Sequence, residues 1–192
     1  MKARHIVWAL VLIGAAGTAR ASSPSSPDFT LTGTQHVDVT WAGSWAPEWP
    51  GATLFDSSSI TMWPGGGLSV VHAWNTSTAG MIGGTIFFLS AYDSSTVNIS
   101  GGGIAYEGEL DAWDTSTVNI SGGSAGPWFR ANDSSIVNIS GGSITGGGID
   151  SVGTPRPGGL FAGGSSTVNI SGGSITSLDP YNTSVVNLSG GS

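Results

Sequence analysis

The chain has 192 residues, a formal net charge of −7, five Lys and Arg together, and no Cys. So few basic residues leave little with which to neutralise phosphates, which argues against a nucleic-acid partner. Without Cys there is no thiol catalysis, disulfide staple or Cys-type metal site, so stability must come from packing and hydrogen bonding.

Residues 1–21 read as a secretory signal peptide. Lys2 and Arg4 make a basic start, Ile6 to Ala16 is apolar but too short to cross a bilayer, and Ala19-Arg20-Ala21 is a small-x-small cleavage site. Cleavage after Ala21 takes Lys2, Arg4 and Arg20 away. It lowers the formal charge from −7 to −10 and leaves Arg130 and Arg156 as the remaining strong bases. The mature chain is expected to be secreted or held at the cell surface, with no membrane span of its own.

Residues 22–50 open with SSPSSP, a linker-like run, and then carry Trp41, Trp45 and Trp49. A solenoid end exposes unpaired strand edges. This region is therefore expected to be a linker followed by an N-terminal cap, with the Trp side chains covering the open core.

From residue 51 onward the chain repeats itself. DSSTVNISGG at 93–102 recurs as DTSTVNISGG, DSSIVNISGG, GSSTVNISGG and NTSVVNLSGG. Aligned on the turn residue that opens each copy, the anchors are Asp56, Asn75, Asp93, Asp114, Asp133, Gly164 and Asn182. Around every anchor the apolar residues alternate with polar ones, as in Leu89 and Ala91 upstream and Val97 and Ile99 downstream. Period two in short runs rich in Val, Ile and Thr specifies strands. Gly-Gly marks a tight bend, and one further apolar residue follows it, such as Ile104 or Ile144.

The anchors are spaced 19, 18, 21, 19, 31 and 18 residues apart. The larger insertions fall between the last apolar residue of one unit and the first of the next, at one corner of a common rung. That behaviour predicts an all-β fold, a single-stranded parallel β-helix of about seven coils over 51–192, continuing beyond Ser192 into further coils or an end-to-end partner.

Outward positions carry the candidates for function. Asn98, Asn119, Asn138, Asn169 and Asn187 should align as an amide ladder. N-glycosylation of these Asn-x-Ser sites is disfavoured, because glycans about 5 Å apart would collide. The Thr-x-Asn-x-Ser face also invites a minor, ice-binding reading. The Asp anchors could hold Ca²⁺, but Asn and Gly stand at the same rung position, which is what a turn requires; no metal or cofactor is expected. Gly122-Gly123-Ser124-Ala125-Gly126 matches G-x-S-x-G but falls in a bend, away from any strand-to-helix elbow.

Two candidate sites remain. The residue before each anchor gives an aromatic stripe of Phe55, Trp74, Tyr92 and Trp113, either stacking between coils or a platform for sugar rings. The inserted corner gathers Glu107, Glu109, Asp111, Trp128, Arg130 and Asp150. Paired carboxylates there would suit a glycosidase or lyase.

The unit L-x-A-x-D-S-S-x-V-N-I-S-G-G-S-I, seen at 89–104, resembles repeats of large secreted bacterial proteins. Many of these are similar to pectin-lyase-type β-helices, and some carry a PEP-CTERM sorting tail. The resemblance implies export and a β-solenoid. It carries no catalytic residues over, since none of the Asp, Arg or Lys patterns of polysaccharide lyases or hydrolases is matched. The expected function is a non-catalytic secreted or cell-surface solenoid, structural or adhesive, binding polysaccharide or cell-envelope glycan along the aromatic stripe. The alternative is a polysaccharide lyase or hydrolase using the acidic corner.

Overall fold

The computed structural model describes residues 18–21, 28–40, 49–145, 148–149, 155–156 and 158–192. Residues 1–17, the SSPSSP run, Trp41, Trp45 and Asp150 lie outside them. Every element among the described residues is a strand, and the chain winds into a parallel β-solenoid.

Two long parallel sheets form the walls. Sheet one stacks Phe29–Leu31, Gly51–Leu54, Gly67–Ala73, Thr85–Ala91, Gly103–Ala112, Trp128–Ala131, Gly159–Ala162 and Leu178–Pro180. Sheet two stacks Thr18–Ala21, His36–Val39, Ser59–Met62, Thr78–Met81, Thr96–Ile99, Thr117–Ile120, Ile136–Ile139, Thr167–Ile170 and Val185–Leu188. A narrow third wall follows each Gly-Gly bend, as in the Ser143–Ile144 and Ser174–Ile175 pair. The insertion between 145 and 159 contributes an antiparallel pairing of Gly148–Ile149 with Pro155–Arg156.

The register is residue for residue. Val97 lies beside Val118, which lies beside Val137, and so on to Val168 and Val186. This keeps the inward columns of both sheets apolar, and the core runs unbroken along the rod. Volume is balanced within each coil as well. In the six coils from residue 51 to 162, the first strand pairs one large inward side chain with one alanine: Ala52 with Leu54, then Val71 with Ala73, Leu89 with Ala91, Leu110 with Ala112, Phe129 with Ala131 and Leu160 with Ala162. All of these are buried. In the last coil Leu178 and Val186 are half-buried and Leu188 exposed, since only the preceding coil covers them.

Of the region expected to be a cap, residues 28–40 are described and take the form of a coil, while Trp41 and Trp45 lie outside the described residues. Phe29–Leu31 and His36–Val39 pair in register with Gly51–Leu54 and Ser59–Met62, so residues 28–40 form another coil of the same design. Its anchor is Gly33, with φ 63°, and its inward residues Leu31, Val37 and Val39 are buried. Trp49 packs edge-on against Phe87, with ring centroids 5.8 Å apart, and so lies on the flank of the rod. Thr18–Ala21 pairs with His36–Val39. A chain cut after Ala21 would lose that strand and leave His36–Val39 at the edge of sheet two.

The anchors adopt the left-handed conformation throughout. Asp56, Asn75, Asp93, Asp114, Asp133 and Asn182 all have φ between 54° and 58°. Asn and Asp tolerate this region best after Gly. Their side chains also accept from the coil before: Asp93 N–H donates to Asp114 Oδ2 at 3.0 Å, and Asp114 N–H to Asp133 Oδ2 at 3.3 Å. These carboxylates therefore serve the turn. Asp114→Asn should stay within about 0.5 kcal/mol of wild type. Asp114→Ala should cost about 1–2 kcal/mol, since alanine has neither the acceptor nor an easy left-handed conformation. Urea unfolding midpoints at equal slope would separate the two.

Candidate functional site

The outer faces of the two sheets differ in kind. Sheet two carries the amide ladder, with Asn119, Asn138, Asn169 and Asn187 each donating Nδ2 to the Oδ1 of the amide one coil back at 2.8–2.9 Å. On the flanking column Ser100 Oγ donates to Met81 O at 3.1 Å, and Ser189 Oγ to Ile170 O at 3.3 Å. These amides bond to one another and these hydroxyls to the backbone, so both are engaged within the protein. A rung that repeats for structural reasons looks like this.

Sheet one does not repeat outward. Reading across each strand, Val70, His72 and Trp74 are followed on the next coil by Phe88, Ser90 and Tyr92. Glu109, Asp111 and Trp113 come next, then Trp128, Arg130 and Asn132. Phe161 stands beside Arg130 on the coil after. Parallel register thus places the aromatic stripe and part of the acidic corner on one surface. Trp113 follows Asp111 by two residues, and Glu109 lies beside Trp128.

The centre of this face is an ion-paired cluster. Arg130 Nε donates to Asp111 Oδ1 at 2.8 Å and its Nη2 to Asp111 Oδ2 at 3.1 Å, a bidentate clamp. The same Nη2 donates to Glu109 Oε2. Asp111 is buried, whereas the Arg130 and Glu109 side chains keep about a third or more of their surface in water. The Arg130 guanidinium is raised above its ordinary pKa, chiefly by the hydrogen bonds it donates to Asp111, against the opposing cost of burial. A raised base contributes its stability below its unfolded-state pKa and loses it only in stronger alkali, so Arg130 is charged at any working pH.

The other predicted residues are placed differently. Glu107 is exposed beside exposed Tyr106 where the register of the Gly103–Ala112 strand shifts between Ile104 and Glu109. In the stripe, Trp74 and Tyr92 stack face to face, with centroids 4.0 Å apart and planes 11° from parallel. Because these rings sit on adjacent coils, their normals run along the rod and their edges point out. The facing surfaces are closed to a ligand. Phe55 is exposed and Trp113 half-buried. Further along the same column Tyr181 crosses Gly163 and donates its hydroxyl to Asn132 Oδ1 at 3.1 Å.

Spacing alone missed three outward residues of this face: His72, Phe88 and Phe161. The signal was available, since each stands an odd number of residues upstream of its anchor and so faces outward. Missed too was a column of serines two residues after the anchors. Ser77, Ser95, Ser116, Ser135 and Ser166 are fully buried, and their hydroxyls make no hydrogen bond to the protein. Serine is a small residue that fits inside a tight corner, and its polarity masks it as a surface position. Ser124, the serine of the G-x-S-x-G match, bridges the narrow third wall and has its Oγ 3.5 Å from Gly126 N.

Among the described residues no group of His, Asp or Glu is arranged to hold a metal ion. No family model, no curated protein and no solved structure matches the chain.

Proposed function

We propose that the chain is a secreted or cell-surface β-solenoid, structural or adhesive, which binds neutral glycan on the outer face of sheet one without cleaving it. The observation that carries this reading is the contrast between the faces: from residue 96 on sheet two repeats and its amides bond to one another, whereas sheet one varies and gathers aromatic and charged side chains. Aromatic rings pack against the apolar faces of sugars, and Trp113 and Trp128 are half-buried rings on this face. Carboxylates and a guanidinium fixed beside Trp113 and Trp128 supply acceptors and donors for sugar hydroxyls. Two carboxylates face one guanidinium here, and the whole chain is acidic, so a polyuronate would be repelled.

The lyase or hydrolase reading is weaker. Glu109 and Asp111 converge, but on Arg130, whose guanidinium lies between them where a scissile bond would have to sit. The ice-binding reading is weaker too, because the amides of sheet two are engaged with each other.

A glycan array probed with the full chain, then with Trp113→Ala and Trp128→Ala, tests the proposal. Neutral polysaccharides should bind, uronates should not, and each variant should lose about tenfold, the size of one aromatic contact. Circular dichroism should be unchanged. An empty array for the wild type would leave a scaffold alone.

A further inference from the structure

A second constellation lies on the other sheet, in the coil made by residues 28–40. His36 and Asp38 are two residues apart on one strand, so both face outward. Register places Ser59 of the next coil beside His36. Ser59 Oγ is 2.7 Å from His36 Nδ1, and His36 Nε2 is 3.2 Å from Asp38 Oδ1. Trp63 Nε1 donates to the same Asp38 oxygen at 2.8 Å.

The chemistry of the partners fixes the tautomer. An ionised carboxylate only accepts, so the neutral imidazole carries its proton on Nε2 and offers it to Asp38. Nδ1 then holds a lone pair, and the Ser59 hydroxyl donates to it. This is the hydrogen-bond order of a serine nucleophile, its base and an orienting carboxylate, with the two ring nitrogens exchanged relative to the serine proteases. The His36 and Asp38 side chains are about one third exposed, so the group is open to small molecules.

The geometry points to Ser59 as an acylatable nucleophile for short-chain carboxylic esters, with His36 as base and Asp38 as a positioning residue. Ser59 Oγ attacks the ester carbonyl carbon while its proton passes to His36 Nδ1. The bond from that carbon to the alkoxy oxygen breaks, and the alcohol leaves with the proton from Nδ1. Water then attacks the acyl-Ser59 ester, giving its proton to Nδ1, and the carboxylic acid leaves as Ser59 Oγ regains a proton. The Ser59 N–H is already donated to Gln35 O at 2.8 Å, so it cannot stabilise an oxyanion. Oxyanion donors contribute about 10²–10³ in rate. The site therefore suits activated esters and accumulates the acyl intermediate. None of this depends on glycan binding by sheet one.

The test is p-nitrophenyl acetate with the full chain, read by p-nitrophenolate release and by mass mapping of the acetyl group. A stoichiometric burst and a single acetyl on Ser59 are expected. Ser59→Ala should abolish the burst. His36→Gln should slow acylation about 100-fold or more. Asp38→Asn should slow it at least about tenfold while leaving the acetyl on Ser59, because an amide donor holds the wrong tautomer. Ser100→Ala, a serine on the same face without a histidine, should leave it unchanged. Acetyl spread over many hydroxyls, no acetyl at all, or labelling of Ser59 at the wild-type rate in folded His36→Gln would overturn the proposal.

Discussion

Phe129→Ala is expected to destabilise the rod by about 3–5 kcal/mol, the range for truncating a buried phenylalanine. Phe129 is fully buried and is the bulkiest such side chain in the core. Leu110 and Leu160 flank it on the neighbouring coils in the same inward column. Its partner within the coil is Ala131, so nothing next to it on the strand can swell into the space. Both neighbours are themselves held in register by their ladders and cannot collapse into the void. A solenoid is stabilised coil by coil through nearest-neighbour interfaces, so the loss falls on two interfaces at once. Urea unfolding followed by circular dichroism should show a lower midpoint. Hydrogen exchange should quicken first in 128–139. Ile136→Thr is the control in the same coil. Ile136 is 40 % exposed, and threonine holds its column at Thr96, Thr117 and Thr167, so that variant should stay within about 0.5 kcal/mol of wild type. A wild-type midpoint for Phe129→Ala would falsify the continuous-core account.

The core was legible because two independent signals agree on it. Alternation alone would allow a strand at 96–99 to pair with almost anything. Recurrence of the same pattern around each anchor dictates that Val97 lies beside Val118, and with that the direction, register and amide ladder follow. The coil at 28–40 was harder to see. Gly33 stands in for the usual Asp or Asn, and an insertion stretches the interval to Asp56 to 23 residues. The cluster of Trp residues in that insertion drew the reading toward a cap.

The outer surfaces were legible only in part, for a different reason. Spacing says which residues face out, but not how a ring is tilted. Trp74 and Tyr92 were recognised as outward neighbours, yet whether they present faces to a ligand or to each other depends on side-chain torsions. The 4.0 Å stack settles it in favour of each other. Contacts between coils were hidden wherever the coil itself was missed. Ser59 and His36 are 23 residues apart, and without the coil at 28–40 nothing brings them together. Arg130 and Asp111 each stand three residues before their anchors, so the alignment sets them opposite, but the bidentate contact between them depends on side-chain torsions that spacing does not give.

Gly141→Ala is expected to be as damaging as the loss of a core side chain, at about 3 kcal/mol or more. The cause is contact, since Gly141 has no left-handed φ to protect. A Cβ there would run into the carbonyl oxygen of Ser121 on the coil before, with the carbonyl carbon 3.1 Å away. The obstacle is backbone, fixed by its own ladder, and it cannot swing aside. The same carbonyl approach recurs at Gly101, Gly122, Gly172 and Gly190, so coils stack closely at the bend because glycine is there. Gly80 makes the opposite case. It occupies the rung of the amide ladder beside Asn98, and its nearest obstacle would be Ile60 O at an ordinary 3.6 Å. Gly80→Asn removes a flexible residue from a strand and gives Asn98 an amide to donate to. It should stabilise by about 1 kcal/mol. Thermal unfolding of the two variants beside wild type should therefore move in opposite directions. If Gly141→Ala unfolds with Gly80→Asn above wild type, the bend does not pack as tightly as its carbonyl contacts require.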